Sequence, residues 1–174
     1  MRKLILTIVA FSIWATGQAC SCAYKGNFLK VSQYADIVAI VKVKDHQDYF
    51  TLRGAAPTKI NKPLSATFEV IQILKGEEDR REVKVFGDDG VLCRPYIDNF
   101  KIEQYYIVGL FKCGNTARQN GINETEKDYY VNACGEYWLN LDNDQKTVTG
   151  LIEERKEKTR TVSLDVFMKM LKPD

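Results

Sequence analysis

Cysteines are the residues of this sequence with the widest chemical scope. A cysteine can act as a nucleophile, a metal ligand or one half of a disulfide, and the redox state of its compartment largely decides among these roles. In an oxidising compartment disulfides are the default, and an odd number of cysteines leaves at least one thiol without an intramolecular partner. The chain has five, namely Cys20, Cys22, Cys93, Cys113 and Cys134.

The N-terminal residues predict that the compartment is oxidising. Arg2–Lys3 is a basic start, residues 4–15 are an apolar run, and Gly17-Gln18-Ala19 places small residues at the −3 and −1 positions of a cleavage site. The apolar run is shorter than the ~20 residues of a membrane span. We therefore expect residues 1–19 to be a signal peptide, with no transmembrane span, and a secreted or otherwise extracytoplasmic protein that begins at Cys20.

Cleavage directly before a cysteine leaves lipidation open. Bacterial lipoproteins are processed to a cysteine that is then acylated. Ala19 suits both peptidases, whereas Gly17 stands where lipoproteins usually have an aliphatic residue. An acylated Cys20 would anchor the protein to a membrane, and a free one would leave it secreted.

Charge and composition narrow the function classes. The chain has 174 residues, 45% apolar and 28% charged, with 25 Lys and Arg against 23 Asp and Glu. Removal of the predicted signal peptide takes away two cations and makes the mature chain formally neutral, which argues against a nucleic-acid partner. Residues 20–174 are enough for a single domain with a core.

No motif for enzyme chemistry stands out. The single histidine, His46, follows Asp45 in a polar stretch and is interpreted as a solvated side chain. The sequence contains no HExxH motif and no phosphate-binding glycine loop. Asp142 and Asp144 lack the glycine and terminal glutamate of a calcium loop. We therefore expect no enzyme, no cofactor and no metal of its own.

Strand-like segments dominate the rest of the chain. Residues 45–64, which contain Gly54, Pro57 and Pro63, predict a long loop, and Asp142-Asn143-Asp144 predicts the turn of a hairpin. Six or seven short strands are predicted, over residues 36–44, 65–74, 82–86, 104–112, 128–133, 136–141 and 147–152.

Two short helices complete the predicted fold. One covers residues 27–34, and Ser163 can cap another over residues 164–172, whose apolar residues recur at helical spacing. Short strands at this spacing favour a small barrel. We expect a mainly β fold, an OB-fold-like antiparallel barrel of five to seven strands with an N-terminal short helix and a C-terminal helix.

A Cys-x-Cys motif, Cys20-Ser21-Cys22, stands at the predicted cleavage point, and the segments 35–38, 68–76 and 105–109 follow it, with Cys93 and Cys134 in the same order as in a known family. By these features residues 20–141 resemble the netrin-like (NTR) domain at the N-terminus of the tissue inhibitors of metalloproteinases. It implies the disulfides Cys20–Cys93 and Cys22–Cys134. Cys113 would then be a free thiol.

The resemblance also implies a function. Family members inhibit zinc proteases by placing the α-amine and carbonyl oxygen of their first residue on the catalytic zinc, at the position that otherwise holds water. Here Cys20 would be the chelating residue, Ser21 would point toward the S1′ pocket, and the disulfides would hold the chelate rigid. The implied partner is an extracellular zinc metalloprotease, bound by a monomeric inhibitor.

The alternative hypothesis is that the protein is a binding module without inhibitory activity. Netrin-like domains also occur as binding or spacer modules, in which the Cys-x-Cys motif only fastens the terminus to the barrel. The partner would then be another surface protein. Its contacts would fall on the predicted loops at residues 45–64 or 114–127.

Overall fold

A computed structural model describes residues 22, 24–53, 59–114, 116–117, 122–153 and 159–172. The predicted signal peptide, Cys20 and Ser21 lie outside these residues. The described helices are α1 (Phe28–Val31) and α2 (Leu164–Leu171), with 3-10 turns at Ser32–Tyr34 and Ile97–Asn99. The described strands are β1 (Ile37–Arg53), β2 (Lys59–Lys75), β3 (Glu82–Phe86), β4 (Tyr105–Lys112), β5 (Thr116–Ala117), β6 (Asn123–Glu124), β7 (Tyr129–Tyr130), β8 (Trp138–Leu141), β9 (Thr147–Gly150) and β10 (Arg160–Ser163).

Five strands close into a ring. β1 pairs with both β2 and β4, β2 pairs with β3, and β7 joins β3 to β4. Strands β8, β9 and β10 extend the same sheet from β4. The mainly β, OB-fold-like barrel is thus confirmed. Its β3–β7 contact is parallel, so the barrel is antiparallel except at that seam.

The predicted loop over residues 45–64 is wrong, because most of it is strand. β1 and β2 have 17 residues each and pair from Val38↔Lys75 to Arg53↔Lys59. Register shifts, one of them between Val43 and Asp45, interrupt the alternation of inward and outward side chains. Asp48 adds a left-handed backbone conformation, with φ 52°. The segment therefore lacks the two-residue period by which a strand is recognised.

Proline also misled the prediction at this hairpin. Pro63 lies opposite Tyr49 in the outer part of β2, before Ser65, where β2 begins to pair with β3. Proline, which has no backbone N–H, is tolerated on such an edge because no further strand needs a hydrogen bond from that position. Phe50 and Leu64 are buried beside Phe86, so the hairpin packs against the core as far as Phe50.

Two apolar clusters hold the elements together. Inside the barrel, the Phe100 ring packs edge-on against Phe68 and Tyr106, at centroid distances of 5.4 and 5.3 Å. A second cluster lies between the sheet and the helices, where Phe28 of α1 contacts Phe167 of α2 at 5.8 Å. The second cluster fixes α1, which follows the N-terminal segment directly.

The predicted hairpin and C-terminal helix are both confirmed. β8 pairs with β9, and the Asp142 carboxylate in their turn accepts hydrogen bonds from the N–H of Lys146 and Thr147. The Ser163 hydroxyl accepts from Val166 N–H and caps α2. No helix in the described part of the chain is long and apolar enough to cross a membrane.

Candidate functional site at the disulfide-linked N-terminal segment

Cys22 and Cys134 form a disulfide, which is the pairing implied by the family resemblance. Their Cα atoms lie 5.2 Å apart and are separated by 112 positions in the sequence. Cys134 is buried in the connection between β7 and β8, where its N–H donates to Asn132 Oδ1 at 2.7 Å. The bond therefore fastens the N-terminal segment to the wall of the barrel.

Backbone hydrogen bonds hold the residues that follow Cys22. Glu136 N–H donates to Gly26 O at 3.0 Å, and Phe28 N–H donates to Leu151 O at 2.9 Å. Gly135 permits the close approach, since a Cβ there would lie 2.9 Å from Val31 Cγ1 and 3.3 Å from Gly26 O. The segment from Cys22 into α1 is consequently attached to the barrel at several points.

Cys93 lies next to the Cys134 attachment. It is disulfide-bonded, and its carbonyl oxygen accepts a 3.1 Å hydrogen bond from the N–H of Ala133. The predicted partner of Cys93 is Cys20, which is outside the described residues, so this pairing stays a prediction. The position that would receive Cys20 is thus adjacent to the position that receives Cys22.

The loop that carries Cys93 is closed by its own backbone. Asp88 is buried and its Oδ1 accepts from Leu92 N–H at 2.7 Å, while Asp88 N–H donates to Pro95 O at 3.0 Å. Gly87 is required for this fold-back, because a Cβ would lie 2.8 Å from Ile97 N. The result is a compact turn beside Cys93.

A buried ion pair holds Arg94, the residue that follows Cys93. Arg94 binds the Glu124 carboxylate of β6 through both terminal nitrogens, at 2.6 and 3.1 Å. The guanidinium lies over the Tyr130 ring, 4.1 Å from its centroid.

Cys113 is free and buried beside the Arg94–Glu124 pair. Burial, and then the Glu124 charge, raise the pKa of its thiol to about 12, so Cys113 is a packed side chain rather than a nucleophile.

The structure adds an aromatic pair that sequence reasoning missed. The rings of Tyr24 and Tyr34 stack at a centroid distance of 3.6 Å and an angle of 13°. They remain 48% and 42% exposed. Positions ten apart do not touch within one helix or strand, and the contact depends on a bend of the chain at Gly26, where φ is 143°. Spacing alone therefore carried no signal for the pair.

His46 is not the solvated side chain expected from the sequence. It is half-buried, and its Nε2 lies 2.8 Å from Phe100 O. The imidazole can donate to that carbonyl and so joins β1 to the segment after the second 3-10 turn. The Glu78 carboxylate is also held in place, because it accepts hydrogen bonds from Arg80 and from the Tyr129 hydroxyl.

The described arrangement is suited to presenting a chain terminus. Among the described residues, no three His, Cys, Asp or Glu side chains come together as metal ligands would. The features that do converge are the Cys22–Cys134 bond, the Cys93 loop and the exposed tyrosine stack. Comparison of the sequence with protein-family models and with curated proteins gave no match. The netrin-like relationship therefore stays a prediction.

Proposed function

We propose that this protein is an exported metalloprotease inhibitor that chelates the zinc of its target through the α-amine and carbonyl oxygen of Cys20. The observation that carries the proposal is the 3.1 Å hydrogen bond from Ala133 N–H to Cys93 O. This hydrogen bond places Cys93, the predicted disulfide partner of Cys20, next to the Cys22–Cys134 disulfide. Two attachments two residues apart would leave Cys20 and Ser21 little conformational freedom.

Rigidity matters because chelation otherwise costs ordering entropy. An inhibitor whose terminus is already fixed loses less freedom on binding. An α-amine has a pKa of about 7.7–8.0, so the neutral donor is accessible near neutral pH. A catalytic zinc holds water or substrate at its fourth position and can expand to five ligands, so the amine would displace the water and the carbonyl oxygen would add as the fifth ligand. Export is supported by the disulfide, since such bonds persist in oxidising compartments.

The test is a mature chain with one alanine added before Cys20. The addition moves the amine away from the chelating position and leaves every described contact in place. We expect the inhibition constant against a zinc endopeptidase, measured with a quenched fluorescent peptide, to rise at least ~30-fold, as for the loss of a binding hot spot. The melting temperature should not change. Undiminished inhibition by the extended chain would refute the mechanism.

A mass measurement on the mature N-terminus separates inhibitor from lipoprotein. Zinc chelation requires a free Cys20 amine. An acylated terminus would exclude it and would leave a membrane-anchored binding module as the function.

A second candidate, a binding module without inhibitory activity, is favoured by the β1–β2 hairpin. Tyr49 is 55% exposed and Ile60 is 50% exposed on this hairpin, and tyrosine is among the residues enriched at protein interfaces. The two candidates differ in one measurement. A free Cys20 amine combined with no inhibition across a panel of zinc endopeptidases would favour the module.

A further inference from the structure

We infer that the Tyr24–Tyr34 stack, together with Lys25 and Lys30, is a second contact surface for the target protease. It would bind an apolar patch of the protease that lies beside the substrate cleft and has carboxylates at its edge. The inference rests on the proposed function and extends the contact beyond the chelating residues. Its four side chains form what we name the tyrosine–lysine surface.

The stack is held rigid without being buried. Lys75 Nζ donates to the carbonyls of Gln33 and Ala35, at 2.6 and 2.7 Å, and so fixes the turn that carries Tyr34. Tyr24 is held by the disulfide at Cys22 on one side and by the bond of Gly26 O to Glu136 on the other. Two aromatic rings are therefore presented to solvent already ordered, which lowers the entropy cost of a contact.

The short distance from the chelating residue brings this surface within reach of an interface of ordinary size that is centred on Cys20. The four residues from Cys20 to Tyr24 span at most ~14 Å even when fully extended. An interface of standard size buries about 800 Å² on each partner, which as a circular patch has a radius of about 16 Å. A protease centred on Cys20 would thus reach Tyr24, and Tyr34 stacks directly on it.

Charge indicates the chemistry of the facing surface. Lys25 and Lys30 are both exposed, and neither forms an ion pair with any residue that the structure describes. The stem of Lys30 lies against Gly26, two residues after Tyr24, where a Cβ would be 2.9 Å from Lys30 Cδ. Residues 22–35 contain no acid. Two cations beside an aromatic stack are complementary to carboxylates around an apolar patch.

Tyrosines are suited to carry the contact. Aromatic side chains near the centre of an interface are frequent hot spots, since they bury a large area and have few rotatable bonds. Lysines at the rim act mainly on the association rate and on its salt dependence. Changes to the tyrosines should therefore affect the inhibition constant, whereas changes to the lysines should affect the association rate and its salt dependence.

The test compares inhibition constants and association rates for matched variants against the zinc endopeptidase that the wild-type chain inhibits. We expect Tyr24→Ala and Tyr34→Ala each to raise the inhibition constant about 10-fold or more, and Tyr34→Phe to retain most of the affinity because the ring remains. Lys25→Glu combined with Lys30→Glu should slow association and weaken its dependence on salt. Melting temperatures identify any variant that has lost its fold.

Ile102→Ala is the control, because Ile102 is an apolar side chain of similar exposure, 47%, to which no binding role is assigned. Intact inhibition by both Tyr24→Ala and Tyr34→Ala, within twofold of the wild type, would overturn the inference and leave the proposed function standing. An equal loss from Ile102→Ala would also overturn it. If the wild-type chain inhibits no zinc endopeptidase, both the proposed function and the tyrosine–lysine surface are overturned. If the added alanine abolishes inhibition but the tyrosine variants do not weaken it, only the tyrosine–lysine surface is overturned.

Discussion

Arg94 and Glu124 form a two-point ion pair almost wholly removed from solvent, with side chains 11% and 1% exposed. Arg94 follows Cys93 directly, so the pair ties the predicted attachment point of the N-terminus to β6. Desolvation of two charges largely offsets their attraction in such a site. The pair is therefore expected to fix geometry more than to add stability, while the loss of one partner leaves an isolated buried charge.

Removal of one partner should be far more damaging than removal of both. We expect Glu124→Leu to lower the free energy of unfolding by about 3–5 kcal/mol, because Arg94 remains buried without its partner. The double variant Arg94→Met with Glu124→Leu should recover much of that loss. Urea denaturation of the three chains measures the difference. A double variant less stable than Glu124→Leu would contradict this account.

Cys113 should be unreactive while the protein is folded. The thiolate is the reactive form, and burial raises the pKa of this thiol to about 12. At pH 8 we expect a thiol reagent to label Cys113 only when denaturant unfolds the chain. Mass spectrometry of the labelled protein gives the measurement, with Cys113→Ala as the blank. Rapid stoichiometric labelling of the native protein would disprove the prediction.

Glu78 should make the fold sensitive to acid. Hydrogen bonds from Arg80, and a further one from Tyr129, lower its pKa from 4.5 to about 2. Between these two pH values the unfolded chain binds more protons than the folded one, so stability falls as pH falls through this range. Glu78→Gln should flatten the dependence of melting temperature on pH there. Glu77→Gln, which removes an exposed carboxylate from the same turn, is the matched control.

The Cys22–Cys134 bond should contribute strongly to stability. It closes a loop of more than 100 residues, for which the chain-entropy estimate is about 4–5 kcal/mol. We expect the double variant Cys22→Ala with Cys134→Ala to lose roughly that free energy of unfolding. If the variant still folds, its terminus should be less ordered, and inhibition should weaken with it. Unchanged urea midpoints would show that the native contacts alone fix the segment.

Patterns confined to neighbouring residues were readable from the sequence. The alternation in residues 82–86 predicted β3 with its observed bounds, and Ser163 before an apolar helical repeat predicted the cap of α2. Both depend on hydrogen bonds or burial set by adjacent positions. The β1–β2 hairpin was missed because register shifts and a left-handed residue interrupt the two-residue period of a strand. The hydrogen bonds that stabilise it join residues distant in the sequence.

The sequence by itself determined the strand-rich composition, the Ser163 cap of α2, the turn at Asp142 and, through the family resemblance, the Cys22–Cys134 pairing. Only the tertiary structure decided which groups meet at the candidate site. Ala133 lies beside Cys93, Arg94 beside Glu124, and Tyr24 on Tyr34 because closure of the barrel and the bend of the chain at Gly26 bring distant segments together. Such contacts depend on three-dimensional packing, which leaves no periodic trace in the order of residues.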